Sequence, residues 1–290
     1  FHPTDSRFIL TGLGTDSIYL FGIDDNRLQR IATQSLPGIV ESVPAIPHFS
    51  WHPSGTFAAV SLAGNDKLQF LRYENTTFLP WGAPLKTPPL PGIGHFTHNG
   101  RFFALTVINL TGDVEQTAYG DNQSLLILYR FDATRQRDSR PTRSNDGQSI
   151  YRSPPVKHTI SQVLPFGSGY VENFTISADD RYLVGLNMAG SWEPGQPSVS
   201  SLELFRLNAS TGKAQFVDRY PFAGVLPEQI SFTPNGTHLA VATFEYPEDH
   251  GSLDLWRLWD REERASLVPL RRTPTPRGLH FFLWRSRHQH

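Results

Sequence analysis

The chain has 290 residues, with 26 basic and 27 acidic side chains, 11 His, one Met, no Cys, and 23 each of Gly and Pro. A formal net charge of −1 supplies no surplus of Lys and Arg for a phosphate backbone or an anionic membrane surface, so neither nucleic acid nor membrane is an expected partner. Without Cys there is no disulfide framework, thiolate metal site or thiol nucleophile, and no run approaches the roughly 18 apolar residues of a spanning helix.

Read in chain order, one phrase recurs: an apolar and hydroxyl alternation, a turn of Pro, Asp, Asn and Gly, a second apolar run, a loop, and a third run ending near an aromatic. It occurs at Phe1–Asp24 and at His48–Tyr73. Further copies are His95–Ile108 with Ser124–Phe131, Asn173–Met188 with Ser201–Leu207, and Gln229–Glu245 with Ser252–Leu258. The period-two alternation rich in Phe, Leu, Val and Tyr predicts pleated strands. Ser54-Gly55, Asn99-Gly100, Asp179-Asp180 and Asn235-Gly236 fall where a tight hairpin needs tolerance of positive φ. Copies of about 45 residues with four short strands predict an all-β fold, a β-propeller of four-stranded antiparallel blades. The expected blades are 1–47, 48–93, 94–171, 172–227 and 228–272 of a single propeller domain, with 273–290 as a closing strand and tail. Thr275–Trp284 reads as a first strand with no second strand behind it, and Phe1 enters near the end of one. The termini then close one blade between them, or the chain is part of a larger propeller. A start at Phe1, without initiator Met or signal peptide, is expected of a processed product. Long loops at Asn109–Gln123 and Ala189–Ser200, and a shorter one at Phe244–His250, are expected at one channel mouth. Asp132–Gln148 reads as a surface excursion.

The wording of these blades resembles the lactonase-like seven-bladed propeller family, which includes bacterial 6-phosphogluconolactonases and fungal carboxymuconate-lactonising enzymes. The resemblance rests on Asp5–Asp24 (DSRFILTGLGTDSIYLFGID), on Pro47-His48-Phe49-Ser50-Trp51-His52-Pro53 and on Thr275-Pro276-Arg277-Gly278, and it matches the family's later blades. It implies that His48 occupies the channel histidine position and Arg277 the late channel arginine position. Two positions depart: Pro47 replaces an arginine of the family, and Asn173, with Glu172 adjacent, stands where the family presents a channel glutamate. The activity implied is hydrolysis or formation of a small anionic lactone, without a cofactor.

Independently of any family, alignment of the first strands puts His48, His95, Asn173 and Gln229 in one register, a ring of polar groups at one mouth. His280 joins it in one alignment of the C-terminal strand and Arg277 in the other. A neutral His can exchange a proton near pH 7, and an Arg can hold a carboxylate or phosphate through paired hydrogen bonds. His48, Arg277 and His95 are therefore the candidate catalytic residues; Glu172, Asn173, Glu228, Gln229 and Trp192 are the candidate substrate-binding residues. The competing reading is a wet channel whose polar groups bind water and one another. A metal held by His48, His95 and either His280 or Glu228 is a third arrangement, but channel-wide separations argue against it. Trp51, Trp81, Trp256, Trp259 and Trp284 read as packing, and His2-Pro3 and His52-Pro53 as turns. No nucleophile elbow, P-loop or dinucleotide fingerprint is present; Gly12-Leu13-Gly14 lacks the helix that a phosphate cradle needs.

Six Asn-x-Ser/Thr sequons, at Asn75, Asn109, Asn122, Asn173, Asn208 and Asn235, arise from only eleven Asn. This favours a secreted, glycosylated protein over a cytoplasmic one, with Asn173 bare because it lies in a channel strand. A monomeric enzyme acting on a small lactone or carboxylate ligand is the leading expectation. A non-catalytic binding or interaction propeller, using mouth-loop residues such as Trp192 and Tyr119, is the alternative.

Overall fold

The computed structural model describes residues 2–5, 7–10, 17–25, 27–35, 47–108, 124–134, 142–143, 149–150, 156–166, 170–188, 199–246, 250–261 and 264–282. They form five larger antiparallel sheets, each a meander, and one separate two-stranded hairpin. The first holds β1 (Phe8–Leu10), β2 (Ser17–Asp24) and β3 (Arg27–Ser35). The second holds β4 (Pro47–Trp51), β5 (Phe57–Leu62), β6 (Lys67–Glu74) and β7 (Thr77–Pro80), with β8 (Leu85–Lys86) also on β6. In the third, β9 (Pro91–Phe96), β10 (Phe102–Val107) and β11 (Leu125–Arg130) are followed, after a small hairpin of β12 (Thr142–Arg143) and β13 (Ser149–Ile150), by β14 (Thr159–Pro165). The fourth runs β15 (Tyr170–Ile176), β16 (Tyr182–Met188), β17 (Val199–Asn208) and β18 (Lys213–Ala223). The fifth runs β19 (Val225–Phe232), β20 (His238–Glu245), β21 (Gly251–Arg261) and β22 (Arg264–Thr275). Among the described residues the one helical turn is a 3₁₀ turn at Ala63–Asn65. This is the all-β propeller fold of four-stranded blades that the repeats predict.

By contacts the chain divides into two compact units. One is Phe1–Phe96 with Gly100–Phe103 and Tyr129–Ile160; the other is Thr97–Asn99 with Ala104–Leu128 and Ser161–His290. Strands β5, β10 and β16 are buried along their whole length, whereas β18 and β22 alternate or face solvent. A strand covered on both faces has no polar side to display, which is why those segments read as continuous apolar runs. In the first unit an aromatic cluster of Phe57, Phe70, Trp81, Phe96, Phe103 and Phe131 encloses His52 and His158. Burial, first of all, lowers the pKa of both histidines. The core of the second unit gathers Val184, Leu186, Leu202, Leu204, Val241 and Trp256. There Gly185 is required, because a Cβ at that position would stand 2.2 Å from the buried ring of Phe166.

The predicted hairpin corners take the expected backbone: φ is +69° at Gly55, +68° at Gly100, +57° at Asp180 and +70° at Gly236. These corners also staple one sheet to the next. Ring nitrogen Nε2 of His2 meets the Gly55 carbonyl, and that of His52 the Gly100 carbonyl, each at 3.0 Å. In the second unit the staple is inverted. The carboxylate of Asp180 reaches back to accept the backbone N–H of His98 at 2.6 Å and that of Asn99 at 2.8 Å. Burial opposes ionisation of Asp180, but these bonds and the His98 side chain outweigh it and lower its pKa.

A second staple recurs on the outer strands. Gln34 on β3 accepts from the Phe78 N–H at 2.7 Å and donates to the Phe78 carbonyl. Gln162 on β14 does the same for Ala214, at 2.7 and 3.1 Å. Each amide completes one rung of a ladder between sheets that share no strand pairing. Replacement of either Gln by Leu strands a backbone donor and an acceptor, and is expected to cost about 1–3 kcal/mol in urea unfolding. A loss below about 0.5 kcal/mol would show that water takes over the rung.

The C-terminal segment departs from expectation. Of the closing strand read over Thr275–Trp284, β22 continues to Thr275 and 276–282 follow without strand pairing among the described residues, while 283–284 lie outside them. Pro276 lacks a ladder donor, and Gly278 has φ +102°, so the extended geometry ends there. The segment is tied instead by Gly278 N–H to the Phe244 carbonyl at 3.0 Å and by Phe282 N–H to Gln229 Oε1 at 2.6 Å.

Candidate functional site

Six candidates lie on first strands: His48 on β4, His95 on β9, Glu172 and Asn173 on β15, and Glu228 and Gln229 on β19. In the first unit, His48 on β4 stands opposite Ser61, whose hydroxyl donates to the Gly92 carbonyl at 2.6 Å. His95 on β9 meets His48 edge to face, with centroids 5.8 Å apart and an interplanar angle of 89°. Nδ1 of His48 accepts the Gly94 N–H at 3.3 Å, which assigns the ring proton to Nε2. Burial, and then the neighbouring His95, push the His48 pKa from 6.5 down to about 3. His48 is therefore a neutral hydrogen-bond donor at physiological pH and a poor proton acceptor. A proton taken up by the pair does not reside on it.

That pKa has a consequence for stability. A histidine lowered from 6.5 to about 3 leaves stability intact above pH 6.5, where both states are neutral. Stability is lost as the pH falls from 6.5 toward 3, because the unfolded chain protonates first. Between about pH 7 and 5, unfolding free energy is expected to fall by about 2 kcal/mol more in the wild type than in His48→Gln. Parallel urea titrations measure the difference, and equal slopes in the two proteins would refute the assignment.

In the second unit two bulges occupy the same place in adjacent sheets. Val171 pairs with Asn187 and Asn173 with Leu186, leaving Glu172 as the extra residue. Pro227 pairs with Thr243 and Gln229 with Ala242, leaving Glu228. A bulge turns the inserted side chain out of the strand's alternation. Asn173 donates through Nδ2 to the Glu228 carbonyl at 3.3 Å. Glu228 Oε1 lies 3.3 Å from Nδ1 of His280, and Gln229 is engaged by Phe282 N–H. Arg277 forms an ion pair with Glu245 at 2.7 Å. Both Arg277 and His280 approach the Phe244 ring, at 5.8 and 5.1 Å. Sequence alignment offered His280 and Arg277 as exclusive choices; the irregular segment after β22 brings both to Phe244.

The structure thus pairs His48 with His95 in one unit and groups Asn173, Glu228, Gln229, Arg277 and His280 in the other. Phe244 and Glu245, which the sequence reading left in a loop, end β20 and supply the partners of Arg277 and His280. No periodicity marks them, because their role depends on a segment more than thirty residues on in the sequence. Trp192, Tyr119, Asn109 and Asn122 lie outside the described residues, as does the side chain of Glu172. Asn75, Asn208 and Asn235 are exposed, with Asn75 in the turn after β6 and Asn208 at the end of β17. Among the described residues no group of three or more His, Asp or Glu has metal-binding geometry, and no helix is long and apolar enough to cross a membrane.

No protein-family model matches the chain, and no curated protein does either. Solved structures do. A protein from Bacteroides uniformis assigned as a 6-phosphogluconolactonase superposes with a TM-score of 0.67 at 14% identity, over 95% of this chain and 70% of that one. A periplasmic gluconolactonase of Pseudomonas aeruginosa gives 0.60 at 18% identity, over 91% and 65%. Hydrazine synthase of Kuenenia stuttgartiensis gives 0.60 at 11% identity, over 93% and 64%. One fold therefore carries unrelated chemistries here, as common folds do. The chain has the fold of the lactonase-like β-propellers.

Proposed function

We propose that the protein hydrolyses a small anionic lactone, using the His48–His95 pair. The observation that carries this reading is the edge-to-face pair itself, in which one histidine is held neutral with its proton on Nε2. His48 Nε2–H donates to the lactone carbonyl oxygen as it gains negative charge. His95 removes a proton from the attacking water, and the water oxygen bonds to the carbonyl carbon. As the ring C–O bond breaks, the same proton passes to the departing alkoxide, so the enzyme is regenerated with a hydroxy acid as product. The lactonase assignment of two solved structures of the same fold supports the substrate class.

Arg277, the expected anion clamp, is already paired with Glu245, and Glu228 with His280. That mutual satisfaction favours a second reading, a non-catalytic module that binds a ligand or protein partner. A pH-stat assay with a sugar lactone and a muconolactone separates the two. Turnover above the uncatalysed rate, lost in His95→Ala, is the expected result. Rates equal to the uncatalysed reaction in wild type and variant would leave only the binding module.

A further inference from the structure

In the second unit, β18 and the β21–β22 hairpin border an open cleft of about 790 Å³, lined among others by Val217, Asp218, Trp259, Arg261, Arg264 and Ser266. The guanidinium of Arg261 lies 4.5 Å from the centre of the Trp259 ring, and that of Arg257 lies 4.9 Å from it. Arg261 and Arg264 stand directly opposite each other across the hairpin. Like charges so placed repel. Asp260, between Trp259 and Arg261 in the chain, is engaged by Arg181 at 2.8 Å. Among the described residues no ion pair holds Arg257, Arg261 or Arg264; Glu262 and Glu263, between the strands, lie outside them.

The geometry points to a binding site for an organic phosphate or sulfate ester, its oxyanion between Arg261 and Arg264 and its hydroxyl-bearing part against Asp218 and Ser266. Guanidinium forks match tetrahedral oxyanions through paired hydrogen bonds, which an ammonium cannot do. Stacking on the indole orders Arg261 before any ligand arrives, which lowers the entropy lost on binding. The cleft falls within the range of small-molecule sites, about 300–1,000 Å³. Asp218 repels a ligand that is anionic throughout and accepts one with a hydroxyl edge. None of these residues takes part in the proposed lactone chemistry.

Isothermal titration with inorganic phosphate, inorganic sulfate, a hexose 6-phosphate and a sulfated disaccharide tests the site. The wild type is expected to bind one equivalent of an ester more tightly than the matching inorganic anion. Affinity should fall several-fold as salt rises from about 0.02 to 0.15 M. Preference for the hexose phosphate identifies a free metabolite as the source, and preference for the disaccharide a sulfated glycan. Arg261→Gln and Arg264→Gln should each weaken binding about tenfold, as expected for loss of a charge-assisted pair. Trp259→Leu should weaken it less, and His95→Ala should leave it unchanged. The altered residues sit on the surface of a hairpin, and circular dichroism confirms that the variants remain folded. Absence of saturable binding to all four probes overturns the site, as does wild-type affinity in the doubly substituted arginine variant. So does binding that emerges only in Glu262→Gln/Glu263→Gln, which would show that the hairpin glutamates neutralise the arginines. Equal affinity for ester and inorganic anion removes Asp218 and Ser266 from it.

Discussion

Replacement of Asp254 by Ala is expected to lower the unfolding free energy by about 2–4 kcal/mol, chiefly the cost of leaving the buried Tyr246 and Ser252 hydroxyls without their acceptor. Asp254 is 5% exposed and accepts three bonds: from Tyr246 OH at 2.6 Å, Ser252 Oγ at 2.7 Å and Arg272 Nε at 2.8 Å. Arg272 also stacks on the Tyr246 ring at 4.0 Å. Burial, and then the Asp254 carboxylate, raise the Tyr246 pKa, so the phenol stays a donor at any pH the protein survives. Deleting the carboxylate leaves a fully buried hydroxyl and a guanidinium with no counter-charge on that side. Asp254→Asn keeps an acceptor and should lose clearly less than Asp254→Ala. Thermal and urea unfolding of the three proteins decide the matter; a loss near 1 kcal/mol for the Ala variant would mean that solvent reaches the network. The fourth sheet repeats the device, with Glu203 2% exposed and bonded to Arg219 Nε at 2.8 Å.

Loss of the His95 imidazole is expected to slow lactone turnover by about 10²- to 10⁴-fold, the usual contribution of a positioned proton carrier. His48→Ala should cost about 10²- to 10³-fold, as removal of a donor to a developing oxyanion does. His48→Gln retains an N–H donor and should recover part of that loss. The role of His48 is checked by pH. His48, with a pKa of about 3, stays neutral between about pH 5 and 8 and contributes no inflection to the rate there. His48→Gln should therefore keep the wild-type pH profile at reduced height, whereas His95→Ala should lower the rate across the whole range. A profile displaced by His48→Gln would contradict the division of roles.

Most of the fold was legible along the chain because its determinants are local. The corner pairs Ser54-Gly55, Asn99-Gly100, Asp179-Asp180 and Asn235-Gly236 demand positive φ, and that demand places each hairpin without reference to the rest of the molecule. Alternating segments between corners then pair with their neighbours in sequence. The candidate histidines were legible for the same reason: equivalent first-strand positions put His48 and His95 in one register, and they meet edge to face. Glu203 and Asp254 were not. Glu203 sits between the fully buried Leu202 and Leu204 in a strand where alternation no longer separates inside from outside, and Asp254 takes a buried position of its strand's alternation, where the pattern leads one to expect an apolar residue. Trp259 was read as packing because an indole in an alternating strand carries the same signal whether it meets a core or two guanidiniums.

By composition and repeat alone, the chain determined that it has no thiol chemistry and no charge surplus for nucleic acid, and that it folds as antiparallel four-stranded blades. Those properties follow from side-chain inventory and from hydrogen bonding between neighbours in sequence. Only the tertiary structure decided that His48 is held neutral, since burial and the nearness of His95 act through space. It likewise decided that Arg277 is committed to Glu245, that His280 shares the Phe244 ring with it, and that Gln34 and Gln162 bridge separate sheets. Each of these depends on groups more than thirty residues apart, or on a backbone that leaves its strand at Pro276, and no local rule encodes such distances.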